Sequence, residues 1–117
     1  MGAAFEVYNE QGYGVAEEIY QESLEIELAI RDIPFQAKQP LQCHYKGRQL
    51  VKRYVPDLWV LNCLIVELKS VSSILPEHQA QIFNYLRLTK QPVGYILNFG
   101  HRDTLEWRRV ILSEYIS

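Results

Sequence analysis

The sequence predicts one α/β (α+β) domain in which helices flank a central mixed β-sheet. Two observations support this: the order of elements is helix, helix, three or four strands, helix and two strands, and no repeat or linker interrupts it. With 117 residues, 48% of them hydrophobic and 22% charged, the chain suits a single globular domain over residues 1–117.

Three segments carry helix signals. Ser72-Ser73 and Pro76 are residues that favour the start of a helix, and a glycine or proline commonly follows its end. The predicted helices are residues 3–11, ended by Gly12; about 15–32, ended by Pro34; and about 76–90.

The predicted strands lie between and after these helices. Residues 35–55 are β-prone, with Lys46-Gly47 as a turn. The segment 57–69 then reads as a hairpin turning at Asn62-Cys63, and two more strands are predicted at 93–99 and 105–112.

The hairpin brings two acids together. A turn centred on Asn62 pairs Asp57 with Glu67, and side chains of directly opposed residues lie about 5 Å apart on one face of the sheet. Strand alternation adds Lys69 to that face. Opposed carboxylates repel each other unless a cation lies between them, so the pattern predicts a metal site with a lysine beside it. A one-residue slip in register would separate the two acids and leave only a structural hairpin.

Glu17 is a third candidate acid. It shares a helical face with Tyr20, Leu24 and Leu28, whereas the other acids of this helix are predicted to face solvent. A carboxylate near the core requires a partner or a metal. The alternative is an acid favoured in the first helical turn by the helix dipole, and the spacing alone leaves both open.

A polar stripe follows on the third helix. His78, Gln81 and Tyr85 fall within about 60° of arc at 100° per residue. Such a stripe is commonly a solvated rim. Here the helix follows the strand of Glu67 and Lys69, so the stripe is placed to overhang the acidic face.

Charge and composition exclude several classes of protein. The net charge of −2 does not suit a protein that coats nucleic acid by charge alone. No apolar run approaches the roughly 20 residues of a membrane span, so we expect a cytoplasmic protein with no membrane partner and with reduced cysteines. Two basic clusters are equally consistent with solvated strand edges and with phosphate contacts: Lys46, Arg48, Lys52, Arg53; and Arg102, Arg108, Arg109.

No competing chemistry matches the sequence. A glycine-rich phosphate loop is absent, and the histidines lack zinc-ligand spacing with the cysteines. Ligation by carboxylates favours a hard ion, Mg²⁺ or Mn²⁺.

The ordered motifs resemble the PD-(D/E)XK nuclease superfamily. Pro56-Asp57 and Glu67-Leu68-Lys69 match its signature, and Gln81-x-x-x-Tyr85 resembles the helix motif of its exonuclease-like branch. The segment Gly14 to Tyr20 is similar to the G-x-x-E-x-x-Y motif of a family of small bacterial proteins. The similarity covers about residues 3–112.

The resemblance implies a restriction-endonuclease-like core and a metal-dependent nuclease site. It implies that Asp57, Glu67 and the Leu68 carbonyl hold one or two Mg²⁺ or Mn²⁺ ions, with Lys69 and Glu17 completing the catalytic set. The remaining residues would bind the nucleic-acid substrate: Gln81, Tyr85 and His78.

The first functional hypothesis is therefore hydrolysis of DNA with low sequence specificity. The alternative is a non-catalytic module that binds nucleic acid or protein on the same fold. The acidic net charge weighs weakly toward this alternative, and a homodimer or a partner protein would supply the positive surface that a nuclease of this size lacks.

Overall fold

The computed structural model describes residues 1–116. Within that range the chain forms three α-helices, seven strands and a final 3₁₀ turn at Ser113–Tyr115. The elements are α1 Gly2–Gln11, α2 Glu17–Ile30, β1 Phe35–Ala37, β2 Leu41–Tyr45, β3 Arg48–Tyr54, β4 Leu58–Val60, β5 Leu64–Lys69, α3 Pro76–Thr89, β6 Val93–Asn98 and β7 Glu106–Ile111.

Five strands form a mixed sheet in the order β1-β4-β5-β6-β7. Strands β5 and β6 are parallel, and the other neighbours are antiparallel. Helix α3 makes the crossover that a parallel pair requires. The α/β class with a central mixed sheet is therefore confirmed, and the fold is restriction-endonuclease-like.

The two faces of this sheet bury different side chains because strand residues alternate. On one face, Val66 and Leu68 of β5 pack with Tyr20 and Leu24 of α2. On the other face, Ile65 and Ile96 pack with Ile82 and Leu86 of α3. The sheet therefore lies between α1 and α2 on one side and α3 on the other, and α3 covers the face toward which Glu67 points.

The predicted β-prone segment 35–55 divides between two sheets. Strand β1 joins the main sheet against β4, whereas β2 and β3 form a separate antiparallel pair. We call this pair, Leu41–Tyr54, the ribbon. Alternate residues of β2, Leu41 and Cys43, are buried toward α3, and they attach the ribbon to the domain.

The start of α3 differs from the sequence prediction in one respect. The helix begins at Pro76 as expected, but the preceding cap residue is Leu75, and neither serine caps the helix. The ring Nδ1 of His78 accepts a hydrogen bond of 3.0 Å from the Leu75 backbone N–H, which is the bond that the third helical residue makes in a capping box.

The loop between α1 and α2 is fixed by Tyr20. Its ring stacks on Phe99 with centroids 4.5 Å apart, and its hydroxyl donates to the Gly12 carbonyl at 2.7 Å. The same hydroxyl accepts the Val15 N–H at 3.1 Å. The first turn of α2, which begins at Glu17, is thereby held beside the sheet.

Both cysteines are free, Cys43 buried and Cys63 half-buried. Among residues 1–116, no helix combines the length and the apolar character that crossing a bilayer requires.

Candidate active site

The hairpin has the register expected from its sequence. Leu58 pairs with Val66, and Trp59 pairs with Ile65, so Asp57 lies just before β4 at the level of Glu67. The turn at Leu61-Asn62 uses positive φ angles of 55° and 57°, which tight hairpin turns require. Local pairing therefore brings the two acids side by side.

The Asp57 carboxylate is held by two donors. Its Oδ2 accepts a hydrogen bond of 2.7 Å from the Leu68 backbone N–H, and its Oδ1 accepts a hydrogen bond from the Lys38 ammonium. The Asp57 carbonyl accepts two further bonds, from Gln21 Nε2 at 2.9 Å and from the Lys38 N–H at 3.2 Å. These contacts fix the position of this acid.

Glu67 is in a different environment. Burial raises its pKa, the charge of Asp57 raises it further, and the net result is a pKa of about 7. The Tyr54 hydroxyl donates to Glu67 Oε1, and this bond, a hydrogen bond from the backbone of Asp57 and the charge of Lys69 each oppose the rise. Burial, followed by the charge of Glu67, in turn places the pKa of Tyr54 far above its usual range.

An open cavity of about 380 Å³ lies over Glu67. Five residues predicted from the sequence line it together: Glu67, Lys69, His78, Gln81 and Tyr85. Lys52, Arg53 and Tyr54 of the ribbon complete its wall. The ring of Tyr85 stacks on that of Tyr54 with centroids 3.8 Å apart and planes 9° apart. The polar stripe of α3 therefore overhangs the acidic strand, as the sequence predicted.

Asp57 opens to a second, smaller cavity of about 180 Å³. The carboxylates of Asp57 and Glu67 thus line separate openings, because Asp57 precedes β4 and turns toward the Leu68 N–H. The sequence predicted that both acids share one face with Lys69. Glu67 and Lys69 do line one cavity, but the prediction is wrong for Asp57, which lines the other. The two acids remain close enough for the charge of Asp57 to raise the pKa of Glu67.

The placement of Glu17 also differs from the prediction. Its side chain is exposed and does not point into the core, because α2 begins at this residue and the first buried residue of the helix is Tyr20. It nevertheless lines the Asp57 cavity, and so do Glu18 and Glu22, which the sequence placed on a different, solvent-facing side.

Sequence reasoning missed two site residues, Lys38 and Tyr54. Burial lowers the pKa of Lys38, but the hydrogen bond and charge of Asp57, followed by the charges of Glu67 and Glu17, outweigh it and raise the pKa. The only local signal is a positive φ of 54° at Lys38, which a sequence does not reveal. Tyr54 stands three residues before Asp57 and has no distinguishing pattern.

The donors fit a hard cation better than a soft one. Asp57 and Glu67 offer carboxylate oxygens, and Leu68 lies next to Glu67 with its carbonyl. Magnesium commonly takes one or two protein carboxylates and completes its shell with water. Within the described part of the chain, no three His, Cys, Asp or Glu side chains come together as a metal-binding group. These residues therefore suit an ion that keeps several water ligands. One of the two acids, Asp57, is already paired with the Lys38 ammonium.

A mixed sheet flanked by helices, with Asp57, Glu67 and Lys69 on one hairpin, is a restriction-endonuclease-like arrangement. A family model of the PD-(D/E)XK nuclease superfamily matches residues 1–110, and the chain belongs to that superfamily. The superfamily resemblance found in the sequence is thereby confirmed. Searches of curated proteins and of solved structures returned no match. The superfamily consists generally of nucleases and related phosphodiesterases that use divalent metals, so a nuclease-type hydrolase acting on nucleic acid is the supported class.

Proposed function

We propose that this protein is a metal-dependent nuclease that hydrolyses DNA phosphodiester bonds with low sequence specificity. The observation that carries the proposal is the hairpin register, which brings Asp57 beside Glu67 and places Lys69 two residues further along the same strand. Lys69 lines a cavity together with Glu67, and the other polar side chains of that cavity are basic or neutral hydrogen-bonding groups. That combination suits a phosphate group better than a neutral ligand.

Each side chain has a role that its chemistry supports. Mg²⁺ or Mn²⁺ held by Asp57, Glu67 and the Leu68 carbonyl would polarise the phosphodiester and lower the pKa of a bound water. The ammonium of Lys69 orients the attacking water and stabilises negative charge on the phosphoryl oxygens. Glu17 completes the acidic rim on the Asp57 side.

The remaining groups of the Glu67 cavity position the substrate. Gln81 and Tyr85 offer neutral hydrogen bonds to the backbone phosphate, and His78 adds a ring nitrogen at the mouth of the cavity. Tyr85 is held in place by its stacking on Tyr54. Contacts to the phosphate backbone carry no sequence information, which favours low sequence specificity.

The proposal is tested with Glu67→Gln and Lys69→Met in a plasmid-nicking assay that contains Mg²⁺ or Mn²⁺. Each variant keeps the size of the side chain and removes its charge, so cleavage is expected to fall at least about 100-fold. The matched control is Glu10→Gln on α1, an exposed acid outside both cavities of the site, which is expected to cleave normally. Cleavage by Lys69→Met at the wild-type rate, with the fold intact by circular dichroism, would remove Lys69 from the mechanism.

A specific observation favours a second candidate, a non-catalytic module that binds nucleic acid or protein. Asp57 and Glu67 already have internal partners, Lys38 and Tyr54, and they open to separate cavities. Calorimetric titration of Mn²⁺ into the wild type and into Asp57→Asn separates the candidates. Metal binding that the substitution abolishes, together with metal-dependent nicking, supports the nuclease. DNA binding with neither supports the module.

Assembly and location belong to the same proposal. A homodimer or a partner protein would add positive surface to a chain of net charge −2, and sedimentation analysis with and without DNA measures this. We place the protein in the cytoplasm, where the free thiols of Cys43 and Cys63 stay reduced.

A further inference from the structure

Most residues of the ribbon are exposed. Its outer strand β3 has six consecutive exposed residues, from Arg48 to Arg53, and Val51 is fully exposed. A strand that covers a core would bury every second residue. Strand β3 buries only Tyr54, at the end nearest the site. The rest of the strand therefore does not contribute to the core of the domain.

Charge is segregated onto this region. Residues 33–56 contain no Asp or Glu and five Lys or Arg residues. Because the whole chain carries −2 and this segment +5, the rest of the chain carries −7. The ribbon itself holds four of the five cations: Lys46, Arg48, Lys52 and Arg53. Among residues 1–116 none of these four forms an ion pair, so their charges remain available to an anionic partner.

The ribbon is continuous with the candidate active site. Lys46 lies at its turn, and Lys52 and Arg53 line the cavity that contains Glu67 and Lys69. Seven residues of strand span roughly 20 Å at about 3.3 Å per residue, which is about the length of one half-turn of duplex. The cations therefore extend from the site to a point about six phosphates away along a strand.

From this continuity we propose that the ribbon binds the phosphate backbone of double-stranded DNA beside the scissile phosphate and directs the strand into the Glu67 cavity. The inference rests on the proposed nuclease function and names its substrate as duplex. A two-stranded ribbon has the width that a DNA groove admits. Proteins that bind single strands present several aromatic rings for base stacking, whereas the exposed aromatic of the ribbon is Tyr45, with the Lys46 ammonium 5.5 Å above its ring.

The test uses the full chain with EDTA, so that binding is measured without cleavage. The variant Lys46→Asp/Arg48→Glu reverses two charges near the ribbon turn and leaves the cavity wall unchanged. Asp is chosen at position 46 because Lys46 has a positive φ of 49°, which Asp tolerates. The control is Arg102→Glu/Arg109→Glu, which makes the same change of four charges in the other basic cluster.

Fluorescence anisotropy with a labelled 20-bp duplex gives the readout. The ribbon variant is expected to weaken binding at least tenfold and to make the slope of log K against log[salt] shallower by about 2, since each neutralised phosphate contributes about 0.9. The control is expected to lose less than about threefold and to keep its slope. If the charge-reversal variant misfolds, Lys46→Asn/Arg48→Gln is expected to change the slope in the same direction with a smaller loss of affinity.

Three outcomes overturn the inference. They are unchanged binding by the ribbon variant, an equal loss in the control, and an equal loss on a single strand of the same length. Nuclease activity is assayed separately on the wild type, as Mn²⁺-dependent hydrolysis of bis(p-nitrophenyl) phosphate and nicking of plasmid. Failure of both reactions would overturn the proposed function, whereas the binding data would still decide whether the ribbon holds duplex DNA.

Discussion

At the scale of single residues, Glu67 is an acid whose ionised form is unfavourable in the metal-free site. Burial and the nearby Asp57 raise its pKa to about 7, although Tyr54 and Lys69 act in the opposite direction. At neutral pH the metal-free protein therefore holds this carboxyl partly protonated. A bound cation would compensate the negative charge of both acids and so oppose the rise in the pKa of Glu67.

This gives a prediction for the pH dependence of stability. The folded pKa of Glu67, about 7, lies above its ordinary value of 4.5. The stabilising contribution of the protonated form is thus complete below pH 4.5 and is lost as the pH rises through 7. In EDTA the free energy of unfolding should fall by up to about 3 kcal/mol from this group between those limits.

Thermal melting of the wild type and Glu67→Gln at pH 5.5 and 8.0 measures this effect. The wild type should lose stability over that range, and Glu67→Gln should lose less, because its amide does not titrate. Equal pH dependence in the two proteins would contradict an elevated pKa at Glu67. Glu10→Gln, which changes an exposed acid, serves as the control.

Lys38 supports a second prediction at the same scale. More than half of its side chain, 57%, is exposed, so its ion pair with Asp57 should contribute at most about 1 kcal/mol to stability. Its larger effect should be on metal binding, because the ammonium competes with a metal for Asp57 Oδ1. Lys38→Met is expected to tighten Mn²⁺ binding about fivefold, which corresponds to about 1 kcal/mol of screened charge interaction.

Calorimetry at pH 8 checks this value, with Lys46→Asn as a lysine control distant from the acids. Weaker binding by Lys38→Met would mean that Lys38 orients Asp57 for the metal and does not compete with it.

At the scale of elements, local patterns predicted the hairpin well and its surroundings poorly. The pairing of Asp57 with Glu67 follows from a turn at Asn62, because two short strands joined by a tight turn have few registers. The exposed position of Glu17 depends on where α2 begins, which its periodicity does not define. The separation of the ribbon from β1 was not predicted either, since strand partners distant in sequence are selected by packing.

Gly94 gives a prediction for how α3 packs on the sheet. A Cβ at this position of β6 would lie 2.8 Å from Ile82 Cδ1 and 3.3 Å from Leu86 Cδ2. Gly94→Ala should therefore destabilise the protein by about 1–3 kcal/mol, as overpacking of a core does. Ile82→Val removes the closest of these carbons and alone costs about 1 kcal/mol.

The double variant Gly94→Ala/Ile82→Val should be more stable than the sum of the two single effects predicts. Urea denaturation of the four proteins measures the coupling. Additive losses would show that the strain of Gly94→Ala lies elsewhere than at Ile82.

At the scale of the whole molecule, the distribution of charge matters more than its total. The net charge of −2 argued against simple electrostatic coating of nucleic acid, yet the ribbon carries four cations and no acid. The sequence displayed this cluster, but only the fold shows that its outer strand is exposed and that it joins the Glu67 cavity. Lys38 and Tyr54 could not be assigned to the site beforehand for a similar reason, because backbone geometry brings them to the acids.

Salt dependence of duplex binding tests this distribution for the wild type. Four phosphate contacts give a slope of log K against log[salt] of about −4, so affinity should fall about 100-fold between 50 and 200 mM salt. Anisotropy titrations at four salt concentrations provide the slope. A slope near zero would exclude the ribbon as an electrostatic binding surface.

The chain order of the site residues has a consequence for how activity is lost on heating. Glu67, Lys69, Gln81 and Tyr85 lie in one continuous segment, β5–α3–β6, whose parallel strands pair directly. Asp57 and Tyr54 come from the preceding segment, where β4 has only three residues. Local unfolding of β4 and of the short edge strand β1 beside it would separate the two acids while the β5–α3–β6 unit stays folded. Thermal inactivation should therefore precede the cooperative melting of the core.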